Sequence, residues 1–180
     1  MSDQLVITAL GADRPGIVDE LSEVLFSREL NIEDSRMSVL GGEFAILLLV
    51  SGSPEAINGV VGDISTLEQS LRMKLLTKVT SSQSITEDFE NYIVEVEAID
   101  HPGIVHKIAS FFSSQQVNIE ELSTERYAAA HTATPMFSVA MIISVPSGVD
   151  SKELSENFLD MCDELNLDAS ITPAMLPQDE

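Results

Sequence analysis

A duplicated motif constrains this chain more than any other feature of its sequence. Residues 13–18 read DRPGIV and residues 100–105 read DHPGIV, while residues 31–33 and 118–120 both read NIE. The copies of both motifs are separated by the same offset of 87 residues, so the segment between the motifs has one length in both halves. Chance matches would not also keep this register. The sequence therefore predicts an internal duplication into two like domains.

Each half carries a pattern of alternating strands and helices. A short run of alternating apolar residues before each motif predicts a strand, and an apolar stripe at helical spacing follows. We expect Pro15 to occupy the first helical position, where its missing N–H costs nothing. Residues 41–42 (GG) predict a hairpin turn, and the apolar run at residues 43–51 predicts a central strand. A single second helix from residues 53–54 and a last strand over residues 71–79 complete the order βαββαβ.

The predicted domain boundaries follow the two copies. The first domain covers residues 1–80 and the second covers residues 90–176. Residues 81–89 are mainly polar and without periodicity, which predicts a linker, and residues 177–180 predict a frayed tail. The strand after the hairpin is displaced by 93 residues rather than 87, so the second copy carries six additional residues, within 128–135.

The charge of the chain excludes several classes of partner. Nine basic residues stand against 30 acidic ones, which makes the net charge −21. Because a phosphate backbone is bound by clustered Lys and Arg, we expect neither direct nucleic-acid binding nor adhesion to an anionic membrane. The simplest interpretation of this acidity is that it keeps the protein soluble and makes its molecules repel one another. A basic protein partner is a second interpretation.

Cysteine usage and apolar content indicate the compartment. The single cysteine, Cys162, excludes an intramolecular disulfide and a cysteine-based zinc site, and its apolar helical surroundings predict that it is buried. The longest apolar block, residues 44–50, is too short to cross a bilayer. The first residues show no basic stretch followed by a long apolar run. We therefore expect a cytoplasmic protein without a membrane segment.

The first strand, the DRPGIV motif, the helix and the NI pair together resemble the ACT domain family. The resemblance covers nearly the whole chain as a tandem pair of βαββαβ modules. It implies an α+β fold of two ferredoxin-like domains, each with a four-stranded antiparallel sheet and two helices on one face. ACT domains usually bind amino acids and regulate another protein, and the resemblance implies the same here.

More narrowly, residues 5–18 (LVITALGADRPGIV) and 31–36 (NIEDSR) resemble a family of glycine cleavage system repressors that consist of two ACT domains. This resemblance implies negative regulation of transcription of glycine-cleavage genes through a separate DNA-binding activator protein. It implies that the effector is glycine or a similar small amino acid and that the protein needs no cofactor. A homo-oligomer is compatible with this resemblance. Two alternatives stay open: a regulatory subunit of an amino-acid or one-carbon enzyme, and a dimerisation scaffold without a ligand.

The ACT resemblance implies a ligand site at an interface between two modules, formed by the loop after the first strand and the Asn that starts the second strand. The matching residues of the first copy are Gly11, Ala12, Asp13, Arg14, Gly16 and Asn31. Those of the second copy are Ala98, Ile99, Asp100, His101, Gly103 and Asn118. Many effector-binding members carry Asn where this chain has Asp13 and Asp100. His101 in place of Arg14 makes the two sites unequal.

These residue types suit an amino-acid zwitterion, which requires donors for its carboxylate and acceptors for its ammonium group. The free N–H groups at a helix N-terminus supply donors, Asp13 can accept from the ammonium group, and the Asn31 amide can do both. Two local alternatives stay open. Asp13 could instead cap the helix with its side chain, and Asn31 could adopt a left-handed turn at the helix end.

No pattern in the sequence is typical of an active site. The three histidines, His101, His106 and His131, lack the spacing of metal ligands. The sequence contains no Ser–His–Asp or Cys–His arrangement and no phosphate-binding glycine loop. We therefore expect a non-enzymatic protein without a bound metal.

Overall fold

A computed structural model describes residues 3–81 and 88–174 of the chain. The chain divides into two compact units, residues 1–84 and 85–180, which we call unit 1 and unit 2. Residues 82–87 of the predicted linker and the predicted tail lie outside the described residues. Unit 1 contains the first copy of the duplicated motif, and unit 2 contains the second.

The described part of unit 1 consists of four strands and three helices. In chain order they are β1 (Asp3–Ala12), α1 (Ile17–Ser27), β2 (Asn31–Leu40), β3 (Glu43–Gly52), α2 (Pro54–Gly62), α3 (Ile64–Leu71) and β4 (Lys74–Thr80). The strands form one antiparallel sheet in the order β2-β3-β1-β4.

Unit 2 repeats this architecture. Its described elements are β5 (Phe89–Ile99), α4 (Ile104–Ser114), β6 (Asn118–Ala128), β7 (Pro135–Pro146), α5 (Ser151–Glu164) and β8 (Asp168–Pro173). The strands form an antiparallel sheet in the order β6-β7-β5-β8, which is equivalent to the order in unit 1. The predicted α+β fold of two ferredoxin-like domains is confirmed.

One face of each sheet forms the core with the helices. Alternate residues of β1, Leu5, Ile7 and Ala9, are at most 3% exposed and share one apolar cluster with the buried residues of α1, α2 and α3. In unit 2 the equivalent cluster is more aromatic, with the rings of Phe112 and Phe158 stacked at a centroid distance of 5.0 Å. The strand alternation thus decides which sheet face the helices cover.

A tight turn joins the first strand to the first helix in both units. Gly16 has φ 91° and ψ −5°, and Gly103 has φ 100° and ψ −4°. These are the angles of the third residue of a type II turn, in which proline is favoured one position earlier. Pro15 therefore belongs to the turn and α1 begins at Ile17, so the prediction that Pro15 is the first helical residue is wrong. A left-handed glycine cannot be part of the helix that follows it.

The second helix of unit 1 is interrupted, although the sequence predicts a single helix. Asp63 separates α2 from α3 with φ −101° and ψ 9°, and its carboxylate accepts a hydrogen bond at 3.0 Å from Arg28, the residue that follows α1. The neighbouring Gly62 has a low helix propensity, which disfavours a continuous helix at this point. Because α3 extends to Leu71, β4 begins at Lys74 rather than at residue 71.

The two hairpins differ in the predicted way. In unit 1, Gly41 and Gly42 have φ of 63° and 88°, and positive φ at both central residues is typical of a two-residue type I′ turn. In unit 2, β6 ends at Ala128 and β7 begins at Pro135. The additional residues therefore lengthen this hairpin outside the core of the sheet.

Candidate functional site

The predicted loop of unit 1 lies at one end of its sheet, between β1 and α1. Gly11 and Ala12 are the last residues of β1, and the Asp13 N–H donates to the Gly42 carbonyl at 3.0 Å. Asp13 is exposed, and its carboxylate has no hydrogen-bond or ion-pair partner among the described residues. The structure thus brings residues 11–16 together and leaves the Asp13 carboxylate accessible.

Arg14 is committed to contacts inside unit 1. Its guanidinium donates to both carboxylate oxygens of Glu20 at 2.7 and 2.6 Å and to the Leu71 carbonyl at 3.2 Å. The hydrogen bonds from Arg14 lower the pKa of Glu20, and the charge of Arg72 acts in the same direction. Arg14 therefore ties the loop to α1 and α3 with three of its five N–H groups, and a ligand carboxylate at this loop would rely mainly on backbone N–H groups.

Gly11 is required by the close approach of the connection between α3 and β4. A Cβ at this position would lie 2.9 Å from Met73 Cγ and 3.0 Å from the Arg72 carbonyl oxygen. The corresponding residue of unit 2, Ala98, accommodates a methyl group and is buried. Gly11 also borders an open depression of about 640 Å³. Charged side chains of both signs line this depression: Glu43, Glu68, Arg72 and Lys74.

The predicted loop of unit 2 has the same backbone turn but different side-chain contacts. The Asp100 carboxylate accepts from Arg126 Nε at 2.7 Å. His101 is exposed, and its Nδ1 atom lies 3.1 Å from the Pro102 carbonyl oxygen. Each unit therefore leaves a different loop side chain accessible, Asp13 in unit 1 and His101 in unit 2.

The helices that follow Gly16 and Gly103 begin without a side-chain cap from any described residue. The alternative in which Asp13 caps α1 is therefore wrong. The first intrahelical bond of α1 runs from the Glu20 N–H to the Gly16 carbonyl at 2.9 Å. The N–H groups before Glu20 have no acceptor within the helix and can bind an anion.

Asn31 begins β2 instead of ending α1. The left-handed residue after α1 is Glu29, with φ 58°, so the alternative in which Asn31 takes the left-handed conformation is wrong. Unit 2 repeats this arrangement, because Gln116 has φ 58° and Asn118 begins β6. Both left-handed residues close a Schellman motif at the helix end, which leads the chain directly into the strand.

A glutamate two residues further along the chain fixes each Asn side chain. Asn31 Nδ2 donates to Glu33 Oε1 at 3.0 Å, and Asn118 Nδ2 donates to Glu120 Oε1 at 2.6 Å. The register of each strand shifts at this glutamate, which identifies it as a β-bulge residue. The bulge thus allows the carboxylate to lie beside the amide of the same strand.

A serine of the neighbouring strand holds each glutamate as well. The Ser51 hydroxyl donates to Glu33, and the Ser144 hydroxyl donates to Glu120 at 2.8 Å. The hydrogen bonds from Ser51 and Asn31 lower the pKa of Glu33. Ser144 is buried, with 6% of its surface exposed, and its hydroxyl holds the Glu120 carboxylate in place.

These contacts determine the orientation of both Asn amides. An ionised carboxylate only accepts hydrogen bonds, so the NH₂ group of each Asn must face its glutamate. The Oδ1 atoms of Asn31 and Asn118 are then turned away from the glutamates and can accept from another group. Sequence reasoning missed this role of Glu33 and Glu120, although the repeated NIE motif contains both residues.

An open depression of about 420 Å³ lies beside Asn118. The last turn of α4 and the first residues of β6 line it, including Ser113, Gln116, Val117 and Ile119. Its volume is sufficient for a small amino acid. The depression is therefore the part of unit 2 where a ligand could contact the Asn118 amide.

The two predicted parts of the site lie at opposite ends of each unit. Asn31 pairs with Ser51, which pairs with Gln4 near the start of β1, whereas the loop follows Ala12 at the end of β1. The strand from Gln4 to Ala12 spans about 26 Å. The loop and the Asn of one module therefore cannot contact the same small amino acid, and a site that contains both requires a second module.

The described residues give little support for a metal site, a nucleophilic thiol or a membrane-spanning helix. They contain no group of three or more His, Cys, Asp and Glu side chains that could hold a metal ion. Burial raises the pKa of the Cys162 thiol to about 11, so this thiol is protonated near neutral pH and is a poor nucleophile. Within the described ranges, no helix is long and apolar enough to cross a membrane.

Comparison with known proteins identifies the family. A sequence profile of the ACT domain matches residues 3–78. The glycine cleavage system transcriptional repressor of Escherichia coli (strain K12) is 32% identical over 167 residues, which cover 93% of this chain and 88% of that relative. The chain belongs to this repressor family. Membership of the repressor family indicates a regulatory role.

Solved structures extend the similarity to the complete pair of units. A Galdieria sulphuraria protein has a TM-score of 0.80 at 28% identity, and the match covers 97% of this chain and 100% of that one. A structure named as a candidate glycine cleavage system transcriptional repressor has a TM-score of 0.70 at 32% identity and covers 97% of this chain and 98% of that one. The repressor family therefore shares the tandem ferredoxin-like fold.

Proposed function

We propose that this protein is a non-enzymatic, amino-acid-responsive regulator that acts in the cytoplasm. It represses the transcription of glycine-cleavage genes by binding a DNA-binding activator protein. The similarity to the Escherichia coli repressor over 93% of the chain supports this proposal most directly. The net charge of −21 supports an indirect action, because binding to DNA itself requires clustered Lys and Arg.

A small amino acid such as glycine is the proposed effector. Its carboxylate accepts from the free N–H groups at the start of α1 or α4, where the helix dipole favours an anion. Its ammonium group donates to the accessible Asp13 carboxylate or to Oδ1 of Asn31 or Asn118. Arg14 contributes less to this recognition, because Glu20 and the Leu71 carbonyl engage three of its five N–H groups.

The proposed site combines the loop of one module with the Asn of another module. The separation of about 26 Å between the two parts within each unit supports this arrangement. Binding of the amino acid then fixes the two modules relative to each other. The amino acid changes the affinity for the activator only if the protein binds the amino acid with different affinity when it is free and when it is bound to the activator.

Calorimetric titration with glycine, L-serine and branched-chain amino acids tests the sensor function. We expect at least one of them to bind, and we expect Asn31→Ala or Asn118→Ala to weaken binding on the order of tenfold or more, because a hydrogen bond to a charged group is lost. The control Asn58→Ala makes the same change at an exposed position of α2. No binding of any amino acid, with and without the activator, would contradict the sensor function.

Affinity purification from native cells distinguishes the classes of partner. Recovery of a DNA-binding activator whose retention changes with the amino acid is the expected result. Recovery of a metabolic enzyme in its place would indicate a regulatory subunit. Repression that persists in both Asn31→Ala and Asp13→Ala would indicate a scaffold without a ligand.

A further inference from the structure

The loop of unit 2 lacks a free carboxylate for the ammonium group of an amino acid. Arg126 binds Asp100 at 2.7 Å and neutralises the acid that corresponds to Asp13 of unit 1. The other accessible loop residue, His101, is a weak acceptor at best. An acceptor for the ammonium group has to come from a different part of unit 2.

Three features at the opposite end of unit 2 favour a cation. Oδ1 of the exposed Asn118 is directed away from Glu120, because Nδ2 donates to that carboxylate at 2.6 Å. Glu120 itself adds a negative charge, and the buried Ser144 holds it in place at 2.8 Å. The last turn of α4 and Asn118 line one depression, and a helix C-terminus carries a partial negative charge.

The equivalent end of unit 1 has the same Asn–Glu–Ser arrangement but a different electrostatic environment. Arg28 stands at the end of α1, where it binds Asp63 at 3.0 Å. The corresponding residue at the end of α4 is the uncharged Gln115. Only the end of α4 therefore combines the Asn–Glu pair with a helix terminus that carries no cation.

We infer that Glu120 is a positioning and specificity-determining residue of an ammonium subsite at the Asn118 amide. This inference rests on the proposed function, because it assigns one end of the proposed amino-acid site. Glu120 fixes the Asn118 amide with its acceptor outward, and its charge selects ligands with a primary ammonium group. The carboxylate of the ligand is bound elsewhere, at the N-terminus of a helix of a second module.

A purely structural role of the Asn118–Glu120 pair predicts a different result. If the pair only stabilised the bulge in β6, its loss would affect all ligands of the site equally. A role in recognition requires a selective loss, since only the ammonium group contacts this subsite. The comparison of ligands with and without an ammonium group therefore separates the two roles.

Calorimetry with glycine and its hydroxy analogue glycolate tests the subsite, and L-serine with L-glycerate provides a second pair. In Glu120→Gln we expect the affinity for glycine or L-serine to fall on the order of tenfold to a hundredfold. We expect the affinity for glycolate or glycerate to change little. The control Glu125→Gln removes the same charge from an exposed position of β6 and should leave the selectivity unchanged.

NMR of the ligand-free protein reports the orientation of the amide independently of binding. We expect the side-chain NH₂ protons of Asn118 to exchange with solvent faster and to change chemical shift in Glu120→Ala, and to keep both properties in Glu125→Gln. Unchanged Asn118 resonances in Glu120→Ala would overturn the inference.

The outcomes for the subsite and for the proposed function are distinguishable. If the wild-type protein binds amino acids but Glu120→Gln keeps its selectivity, the assignment of Glu120 is overturned and the sensor function stands. If the wild-type protein binds no amino acid while NMR shows that Asn118 and Glu120 remain hydrogen-bonded, the sensor function is overturned. The ammonium subsite, which rests on it, is then overturned as well.

Discussion

Arg14 and His101 occupy the same position of the duplicated motif but differ in what they can bind. Arg14 donates to both oxygens of Glu20. The residue of unit 2 that corresponds to Glu20 is Lys107, so His101 has no acid to pair with at that position. The loop side chain is therefore held in an ion pair in unit 1, whereas in unit 2, where Lys107 replaces the acid, it is exposed.

Replacing Glu20 with Gln tests the Arg14–Glu20 pair by its pH dependence. Because Arg14 lowers the pKa of Glu20, the pair stabilises the folded state above the pKa of an unfolded glutamate, about 4.3, and loses this effect as the pH falls through the lowered folded pKa. We expect wild type to be more stable than Glu20→Gln at neutral pH and the difference to vanish in acid. Urea denaturation of both proteins over a pH series measures it.

The exposed Glu23 of the same helix is the matched control for this series. Glu23→Gln removes one charge from α1 without touching the ion pair. A stability difference between wild type and Glu20→Gln that does not depend on pH would contradict the role of the pair.

At the scale of elements, the joint between the first strand and the first helix is the most constrained part of each unit. Its type II turn requires a positive φ at Gly16 and Gly103, and an L-residue in this region costs about 1–2 kcal/mol. The same turn places the first N–H groups of α1 and α4 free of a side-chain cap. One local geometry thus serves both the fold and the proposed binding of an anion.

Alanine substitutions test this joint. We expect Gly16→Ala and Gly103→Ala each to lower the free energy of unfolding by about 1–2 kcal/mol, measured by chemical denaturation. Gly62→Ala is the matched control, because Gly62 lies at the end of α2 with open space around its Cβ position and no positive φ. It should keep the stability or raise it by about 0.4–1 kcal/mol. Equal effects of all three substitutions would refute the conformational requirement.

At the scale of the whole molecule, charge is the dominant property. A net charge of −21 on 180 residues destabilises the folded state through self-repulsion. The Debye length falls from about 30 Å at 0.01 M salt to about 8 Å at 0.15 M, so salt screens most of this repulsion. The same acidity disfavours nucleic acid as a partner and leaves protein partners with basic surfaces available.

Salt should therefore stabilise this protein. We expect the Tm to rise by several degrees between about 0.01 and 0.15 M NaCl, measured by thermal unfolding at neutral pH. KCl should have the same effect, since screening does not depend on the identity of the cation. A Tm that stays constant or falls with salt would show that local ion pairs, such as Arg14–Glu20, outweigh the net repulsion.

Local patterns predicted the elements of this fold well and their interruptions poorly. The alternation in β1 and the GG turn at residues 41–42 carry their information in adjacent residues, and both predictions are confirmed by the sheet. Asp63, at the break, contacts Arg28, which lies 35 residues away in the sequence. The Pro-Gly pair at residues 15–16 was a readable type II turn signal that we interpreted as a helix start.

The candidate site divides in the same way. The duplicated motif and its resemblance to ACT domains indicated the candidate residues, because both are properties of the sequence. Which side chains are free was decided by contacts of residues far apart in sequence, such as Asp100 with Arg126. The predicted site residues stay a proposal for the binding experiments.

The duplication, the βαββαβ order and the sheet face that forms each core were readable from the sequence alone. Periodicity, turn residues and net charge are local or additive properties, so they can be read without coordinates. The folded chain was needed to see that the loop and the Asn of each module lie at opposite ends of the sheet, and that Glu33 and Glu120 orient the Asn amides. These relations depend on strand register and on a bulge, which arise only when strands distant in sequence pair.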